Sequence, residues 1–342
     1  MDPLLVRAAR GERTPRPPVW LMRQAGRHIP EYREIREDYS FLEAIKTPAV
    51  AEEITLLPWE YYQPDGLVMF SDILTVLEPL GFSYHIESGV GPVVDDPVDG
   101  PEDVDRSHDD VARELDYVGE LLVRLNDTVA DLRTEDGNRP AVIGFAGGPF
   151  TLASYAVAGG PSRGHLPLRK FRNRHPEAFR TLLSAFADVV RDYLAFQIGN
   201  GADAVQLFDT YAGVLPPEDY AEFVLPLHRE ILADLRVPSI VFVRRMGGRL
   251  DQLADAGADV VGLDWTVDMA DARVELGETP VQGNLDPSAL FAPPEVVRER
   301  TREVVDAAGP SGHILNLGHG VNKDTPVEGV RAFVETAKGI ER

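Results

Sequence analysis

The chain has 342 residues, 44% of them hydrophobic, and a formal charge of −22 from 56 acidic against 34 basic side chains. That length fills two domains or one large α/β barrel, and the acid excess excludes nucleic acid as a favourable partner, since both would be polyanions. The absence of cysteine removes disulfides, thiolate metal sites and thiol nucleophiles together, so any catalysis rests on oxygen, imidazole or guanidinium groups.

The opening stretch, MDPLLVRAARGERTPRPP, has an early acid and no apolar run fit for a signal peptide, and no later segment approaches membrane-spanning length. The expectation is a cytoplasmic protein with no membrane partner. Lysine occurs only at Lys46, Lys170, Lys323 and Lys338. Acid excess with scarce lysine suits a salt-rich, halophilic cytoplasm, where screening relieves self-repulsion; a GC-rich genome supplies the same arginine bias by itself.

From the amino end, Arg7, Arg10, Arg13, Arg16, Arg23, Arg27, Arg33 and Arg36 read mostly as a solvated basic arm. Arg23 and Arg27 stand apart because they follow the apolar segment Val19-Trp20-Leu21-Met22. Short apolar runs bounded by glycine, proline or acids predict eight strands, over 19–22, 65–70, 141–145, 203–208, 239–243, 259–263, 280–283 and 313–317. Amphipathic helices are predicted over 175–199, 217–235, 294–308 and 325–339. Eight buried strands alternating with helices predict an α/β fold, a single (β/α)8 TIM-type barrel over residues 1–342. An open doubly wound sheet is the alternative, but no G-x-G-x-x-G follows an early strand. The echo between Gly201-Ala202-Asp203-Ala204-Val205 and Gly257-Ala258-Asp259-Val260-Val261 fits repeated βα units. The widest gap between strands predicts an insertion at about 75–135, between the second and third strands, with a turn-rich part from Gly81 to Gly100 and a helical part near 108–133.

In a parallel barrel the chemistry sits where strands end. The exits here gather Arg23 and Arg27, then Phe70-Ser71-Asp72, Gly147-Gly148 with Tyr155 beyond, Asp209-Thr210, Arg244-Arg245, Asp264-Trp265, Asn284-Leu285-Asp286, and Gly318-His319-Gly320. Arginines paired on one rim suit the carboxylates of a polyanionic small molecule. A spacing of four puts Arg23 and Arg27 on one side of a turn if the segment is helical; a surface salt-bridge couple is the plainer reading. Asp72, Asp209, Asp264 and Asp286 each suit a helix cap, or together an oxygen-ligand site for Mg²⁺ in a metal-dependent lyase. His319 reads as a rim catalyst or as an ordinary packed histidine.

The run Pro18-Val19-Trp20-Leu21-Met22-Arg23-Gln24-Ala25-Gly26-Arg27 resembles the amino-terminal signature of the uroporphyrinogen decarboxylase family, and Gly144-Phe145-Ala146-Gly147-Gly148-Pro149-Phe150-Thr151-Leu152-Ala153-Ser154-Tyr155 resembles its second signature. Phe70-Ser71-Asp72-Ile73-Leu74, Gly262-Leu263-Asp264-Trp265-Thr266, Gln282-Gly283-Asn284-Leu285-Asp286-Pro287 and Asn316-Leu317-Gly318-His319-Gly320 look like its remaining blocks in order. The resemblance implies a barrel with a deep cleft at its mouth, a homodimer with facing clefts, and conversion of uroporphyrinogen III to coproporphyrinogen III with no metal, cofactor or prosthetic group. Carried over by position, it implies Asp72, Arg23, Arg27, Tyr155 and His319 as catalytic residues, with Gln24, Ala25, Gly26, Phe70 and Thr210 joining them in binding the tetrapyrrole. Three positions depart from the family pattern. Thr210 stands where serine is commoner, His28 replaces a common tyrosine, and Arg244-Arg245 alter an exit that usually carries lysine or glycine. Cobamide-linked methyltransferases of the same superfamily bind zinc through cysteine and histidine, which this chain cannot match without cysteine. A non-catalytic tetrapyrrole-binding barrel is the remaining alternative.

Overall fold

The computed structural model of the chain describes residues 2–342. Seven strands form one sheet: β1 (Gly66–Val68), β4 (Ala141–Gly147), β5 (Ala204–Phe208), β6 (Ser239–Phe242), β7 (Val260–Gly262), β8 (Val281–Leu285) and β9 (His313–Leu317). Each pairs in parallel with the next, as right-handed crossovers between consecutive strands require.

The predicted first strand, 19–22, is reduced to a single parallel bridge between Val19 and Leu315. Pro17 and Pro18 have no N–H to give to a ladder, and the chain turns at Met22-Arg23, so pairing cannot extend either way. The segment still joins the two sheet edges. Leu315 N–H donates to Pro18 O (2.8 Å) and Trp20 N–H to Leu315 O (3.3 Å) on one side, and Asp65 N–H donates to Val19 O (2.8 Å) on the other.

Inside the barrel, Trp20, Ile143, Ile240, Phe242 and Ile314 pack with Leu5, Val6, Ala8 and Ala9 of a short amino-terminal helix, Leu4–Ala9, that closes the barrel's lower end. Backbone and side chains meet closely there. A Cβ on Gly66 would lie 2.6 Å from Ile143 Cδ1 and 2.9 Å from Leu5 Cδ1, so only glycine fits. The Trp20 indole N–H donates to Gln282 Oε1 (2.9 Å), whose Nε2 donates to Gln206 Oε1 (3.0 Å), satisfying polar groups that would otherwise be buried alone.

Outside, helices cover the sheet. The helix Pro176–Gly199 buries Phe179, Leu182, Leu183, Phe186, Val190 and Leu194, the three-and-four spacing of one apolar face. Prediction and structure part over 217–235, which divides into Pro217–Phe223 and Leu225–Leu232 because Pro226 lacks the N–H an uninterrupted helix needs. Helices Pro294–Ala308 and Val327–Lys338 stand where expected.

The predicted insertion has two parts of different kind. Helix Asp116–Val129 packs on helix Pro48–Tyr62 and on β4, as a barrel crossover helix does. The addition proper is an antiparallel hairpin of β2 (Tyr84–Glu87) and β3 (Gly91–Val94). Sequence reading sees only turns in it because Tyr84 and Val94 alone are buried, so no alternation marks the strands.

One member of the expected basic arm is not solvated. Arg16, 5% exposed, forks onto Asp65, 1% exposed, with Nη1–Oδ2 at 2.7 Å and Nη2–Oδ1 at 2.8 Å, while its Nε reaches Asp136 at 2.8 Å. Burial pulls its pKa down, and the hydrogen bonds and charge of Asp65 more than restore it. The same Asp65 carboxylate accepts the Val19 N–H (2.8 Å), so the pair also fixes where the chain enters the barrel.

Candidate active site

The chain after Met22 is a series of tight turns, not a helix, and Arg23 itself has φ 61°. Its spacing of four from Arg27 therefore does not lie along a helical face, which corrects that part of the expectation. Both side chains are exposed. Arg23 extends across to the last strand exit, where a Cβ on Gly320 would lie 2.4 Å from its Cδ and 2.7 Å from its Cγ. Gly320 is thus the floor on which Arg23 rests. Gly320→Ala is expected to displace Arg23 and lower kcat/KM for the anionic substrate roughly tenfold, since a charge-assisted contact carries about 1.5–3 kcal/mol, with little change in melting temperature. Steady-state kinetics beside a thermal melt checks it.

The residues between the two arginines hold the turn. Gln24 is fully buried, its Oε1 accepting Leu21 N–H (3.1 Å) and its Nε2 donating to Gly66 O (3.0 Å). Its side chain thus holds the turn that carries the two arginines. Gly26 O accepts the Ile29 N–H (3.0 Å), and Ala25 packs half-buried on the core. His28 is buried and stacked on Tyr62 at 6.3 Å, in the core rather than on the rim.

Asp72 follows β1. Its Oδ1 accepts Leu74 N–H (3.0 Å), so it does cap the turn after it, yet the residue stays half-buried and open on one side. Burial raises its pKa, opposed by the Leu74 N–H and then by the Arg23 charge. Phe70, two residues earlier, packs edge-on to Tyr32 (5.8 Å) and Phe41 (5.6 Å), which anchors the strand end that presents Asp72.

Tyr155 lies on the helix Pro149–Ala158, with its hydroxyl 3.1 Å from that of Tyr211. Burial first, then Tyr211, then the Asp72 carboxylate, holds its phenol protonated, and the Arg23 charge opposes them. Tyr211 in turn stacks on His165 at 4.0 Å. Neither Tyr211 nor His165 was singled out from the sequence, although Tyr211 directly follows Thr210. Thr210 is half-buried at the β5 exit and its carbonyl accepts Arg244 N–H (3.3 Å).

His319 stands edge-on to Trp265 (6.2 Å) and Phe242 (6.1 Å). Burial, with the charges of Arg23 and Arg244, lowers its pKa from 6.5 to about 4. One cation, Arg23, thus acts on Asp72, Tyr155 and His319 together, from three different strand exits.

The other aspartates are taken up by hydrogen bonds within the scaffold. Asp209 is buried and accepts from Thr151 N–H (2.7 Å), Phe150 N–H (3.3 Å) and His228 Nε2 (2.9 Å). Asp264 receives Thr266 N–H (2.7 Å) and the Arg245 N–H, and Asp286 receives Ser288 N–H (2.8 Å). Among the described residues no three histidine, aspartate or glutamate side chains are grouped to hold a metal ion, so the four aspartates do not form the oxygen-ligand set considered above.

Burial likewise lowers His28 to about 4, His165 to about 4 and His313 to about 3. These folded values lie below the unfolded 6.5, so above that pH the rings are neutral in both states. As pH falls from 6.5 through 4, the unfolded chain binds protons that the folded chain refuses. The melting temperature is therefore expected to hold above pH 7 and to fall progressively toward pH 4, as calorimetry across that range would record.

A curled parallel sheet with helices outside and charged groups at the strand exits defines the protein as a (β/α)8-barrel enzyme. A methyltransferase from Methanosarcina mazei has the same fold, with a TM-score of 0.81 over 99% of both chains at 16% identity. A B12-independent methionine synthase from Shewanella sp. W3-18-1 follows at 0.61, over 85% of this chain and 87% of that one, at 12% identity. The chain belongs to the uroporphyrinogen decarboxylase (URO-D) family, whose profile matches residues 2–340. Uroporphyrinogen decarboxylase of Crocosphaera subtropica is 44% identical over 99% of this chain and 96% of its own length, and that of Gloeobacter violaceus is 43% identical over 98% and 97%.

Proposed function

We propose that the chain converts uroporphyrinogen III to coproporphyrinogen III, removing the carboxylates of four acetate arms, and that Asp72, Arg23, Arg27, Tyr155 and His319 carry the reaction. The observation that bears most weight is that Asp72, half-buried after β1, lies within reach of the charge of the exposed Arg23.

Carbon dioxide leaves an acetate arm only if the bonding electrons have somewhere to go. A proton added to the pyrrole carbon beside nitrogen makes the ring an iminium-like cation. The C–C bond then breaks into that ring, giving carbon dioxide and an exocyclic methylene. A proton on the methylene carbon makes the methyl group, and loss of the ring proton restores the pyrrole. Each arm consumes one proton net, and the ring itself serves as the electron sink.

Asp72 fits the centre of this scheme. Its carboxylate accepts hydrogen bonds from the inward-pointing pyrrole N–H groups and stabilises the ring cation, while its Leu74 contact keeps one oxygen oriented. Arg23 and Arg27 hold acetate or propionate carboxylates, and a guanidinium, with its pKa above about 12, serves there as an anchor more readily than as an acid. The protonated Tyr155 phenol and the neutral His319 ring each have a proton to donate in a hydrogen bond to further carboxylates.

The test is an anaerobic assay with uroporphyrinogen, with products separated by chromatography. Coproporphyrinogen that forms after exhaustive chelation supports this reading over a metal-dependent lyase; a folded chain that binds the substrate and yields no product overturns it in favour of a tetrapyrrole-binding barrel. The finer parts of the reading are a cytoplasmic homodimer with facing clefts, drawn from the family resemblance, and adaptation to salt, drawn from the charge of −22. A monomer in sedimentation sinks the first, and unfolding as KCl rises to molar concentration sinks the second.

A further inference from the structure

The β6 exit carries a cation that the mechanism above leaves idle. Arg244 is held by its backbone on two sides. Its N–H donates to Thr210 O at 3.3 Å, and its carbonyl oxygen lies 1.8 Å from the position a Cβ on Gly213 would take, so Gly213 exists to let that carbonyl in. From this fixed base the side chain stacks its guanidinium on the Trp265 ring, 4.6 Å from the centroid. Trp265 stands edge-on to His319, and beyond His319 lies Gly320 with Arg23 across it. Two guanidinium groups therefore flank one imidazole.

Arg244 lacks what a structural arginine has. Its Nε is buried and, among the described residues, has no hydrogen-bond partner. Asp264, whose charge also reaches His319, is occupied by the Arg245 N–H and by the Thr266 N–H and hydroxyl. Stacking on an indole orients the guanidinium plane, and with Nε buried it is the edge formed by the two Nη groups that remains free to meet a ligand at the strand exits. A carboxylate is the group that edge matches, because it accepts two parallel N–H bonds at once.

We propose that Arg244 is a third carboxylate anchor, binding one side-chain carboxylate of the tetrapyrrole on the far side of His319 from Arg23. This rests on the decarboxylase reading for the identity of the ligand, and on the geometry alone for the role of Arg244. Because the anchor is held by Trp265 before any ligand arrives, it binds without the cost of ordering a long side chain.

The test uses the full-length chain and its variants Arg244→Gln and Arg244→Lys, with two readouts: steady-state kinetics on uroporphyrinogen, and equilibrium binding of uroporphyrin, the oxidised octacarboxylate that does not react. For Arg244→Gln we expect KM and the uroporphyrin Kd to rise about tenfold, corresponding to one lost contact of ~1.4 kcal/mol. The loss should fall on KM more than on kcat, and Arg244→Lys, which keeps the charge but not the bidentate edge, should lie between. A role confined to packing on Trp265 would lower the melting temperature and leave both constants within twofold, and that result overturns the proposal. Should Arg244→Gln fold poorly, Arg244→Lys decides by the same criterion. If the parent chain binds uroporphyrin without decarboxylating uroporphyrinogen, the activity reading fails, and the binding comparison still judges Arg244.

Discussion

Asp72→Asn is expected to reduce kcat on uroporphyrinogen about 10²–10³-fold while the melting temperature shifts by only a few degrees, because removing one preorganised charge from a water-poor site costs about 3–4 kcal/mol of transition-state stabilisation. Asparagine separates the two duties of this residue. Its side-chain oxygen still accepts the Leu74 N–H, so the turn after β1 keeps its cap, and asparagine caps as well as aspartate. What disappears is the negative charge that faces Arg23 and would face the ring cation. Asp72→Ala removes both, and should add a stability loss of about 1 kcal/mol to the same catalytic defect. Turnover near that of the parent in a folded Asp72→Asn chain would remove the central carboxylate from the mechanism.

The largest effect on stability is expected at the opposite end of the barrel. Asp65→Ala leaves the Arg16 guanidinium buried with only the more exposed Asp136 to pair it, and leaves the Val19 N–H without its acceptor. Breaking a buried pair from one side costs about 3–5 kcal/mol, which for a chain of this size lowers the melting temperature by roughly 4–7 °C. Arg16→Met together with Asp65→Leu should cost less than Asp65→Ala alone, since no charge remains stranded. Denaturant or thermal unfolding of the single and double variants measures the difference. Equal losses in both would mean that the contact contributes through packing and not through charge.

Much of this architecture was legible in the residues because the barrel strands are short, buried on both faces and bounded by glycine, proline or acid. β5 and β9 stand where the apolar runs put them for that reason. The first barrel strand was harder to read, because Val19-Trp20-Leu21-Met22 is as apolar as the others and only the two prolines before it hint that pairing stops at one bridge. Hairpin β2–β3 escaped because only Tyr84 and Val94 are buried in it and no alternation results, and Arg16 escaped because nothing local distinguishes a buried arginine from its solvated neighbours. Its partners, Asp65 and Asp136, are distant in sequence.

In the site, local sequence offered each aspartate the same cap reading. Asp264, Asp286 and Asp72 do accept an N–H two residues on, whereas Asp209 caps the distant helix Pro149–Ala158; what marks Asp72 is that it remains partly open near Arg23. That distinction depends on three-dimensional surroundings, and only the family motifs anticipated it. Gln24 shows the reverse case, a motif residue whose place is in the scaffold.

The helix Leu4–Ala9 and the side chains packed on it fill the lower end and interior of the barrel, which leaves the rim of strand exits as the face that meets substrate. Porphyrinogen and the finished product therefore occupy the same rim in turn. A tetracarboxylate still seated there excludes the next octacarboxylate, so product inhibition should follow a competitive pattern.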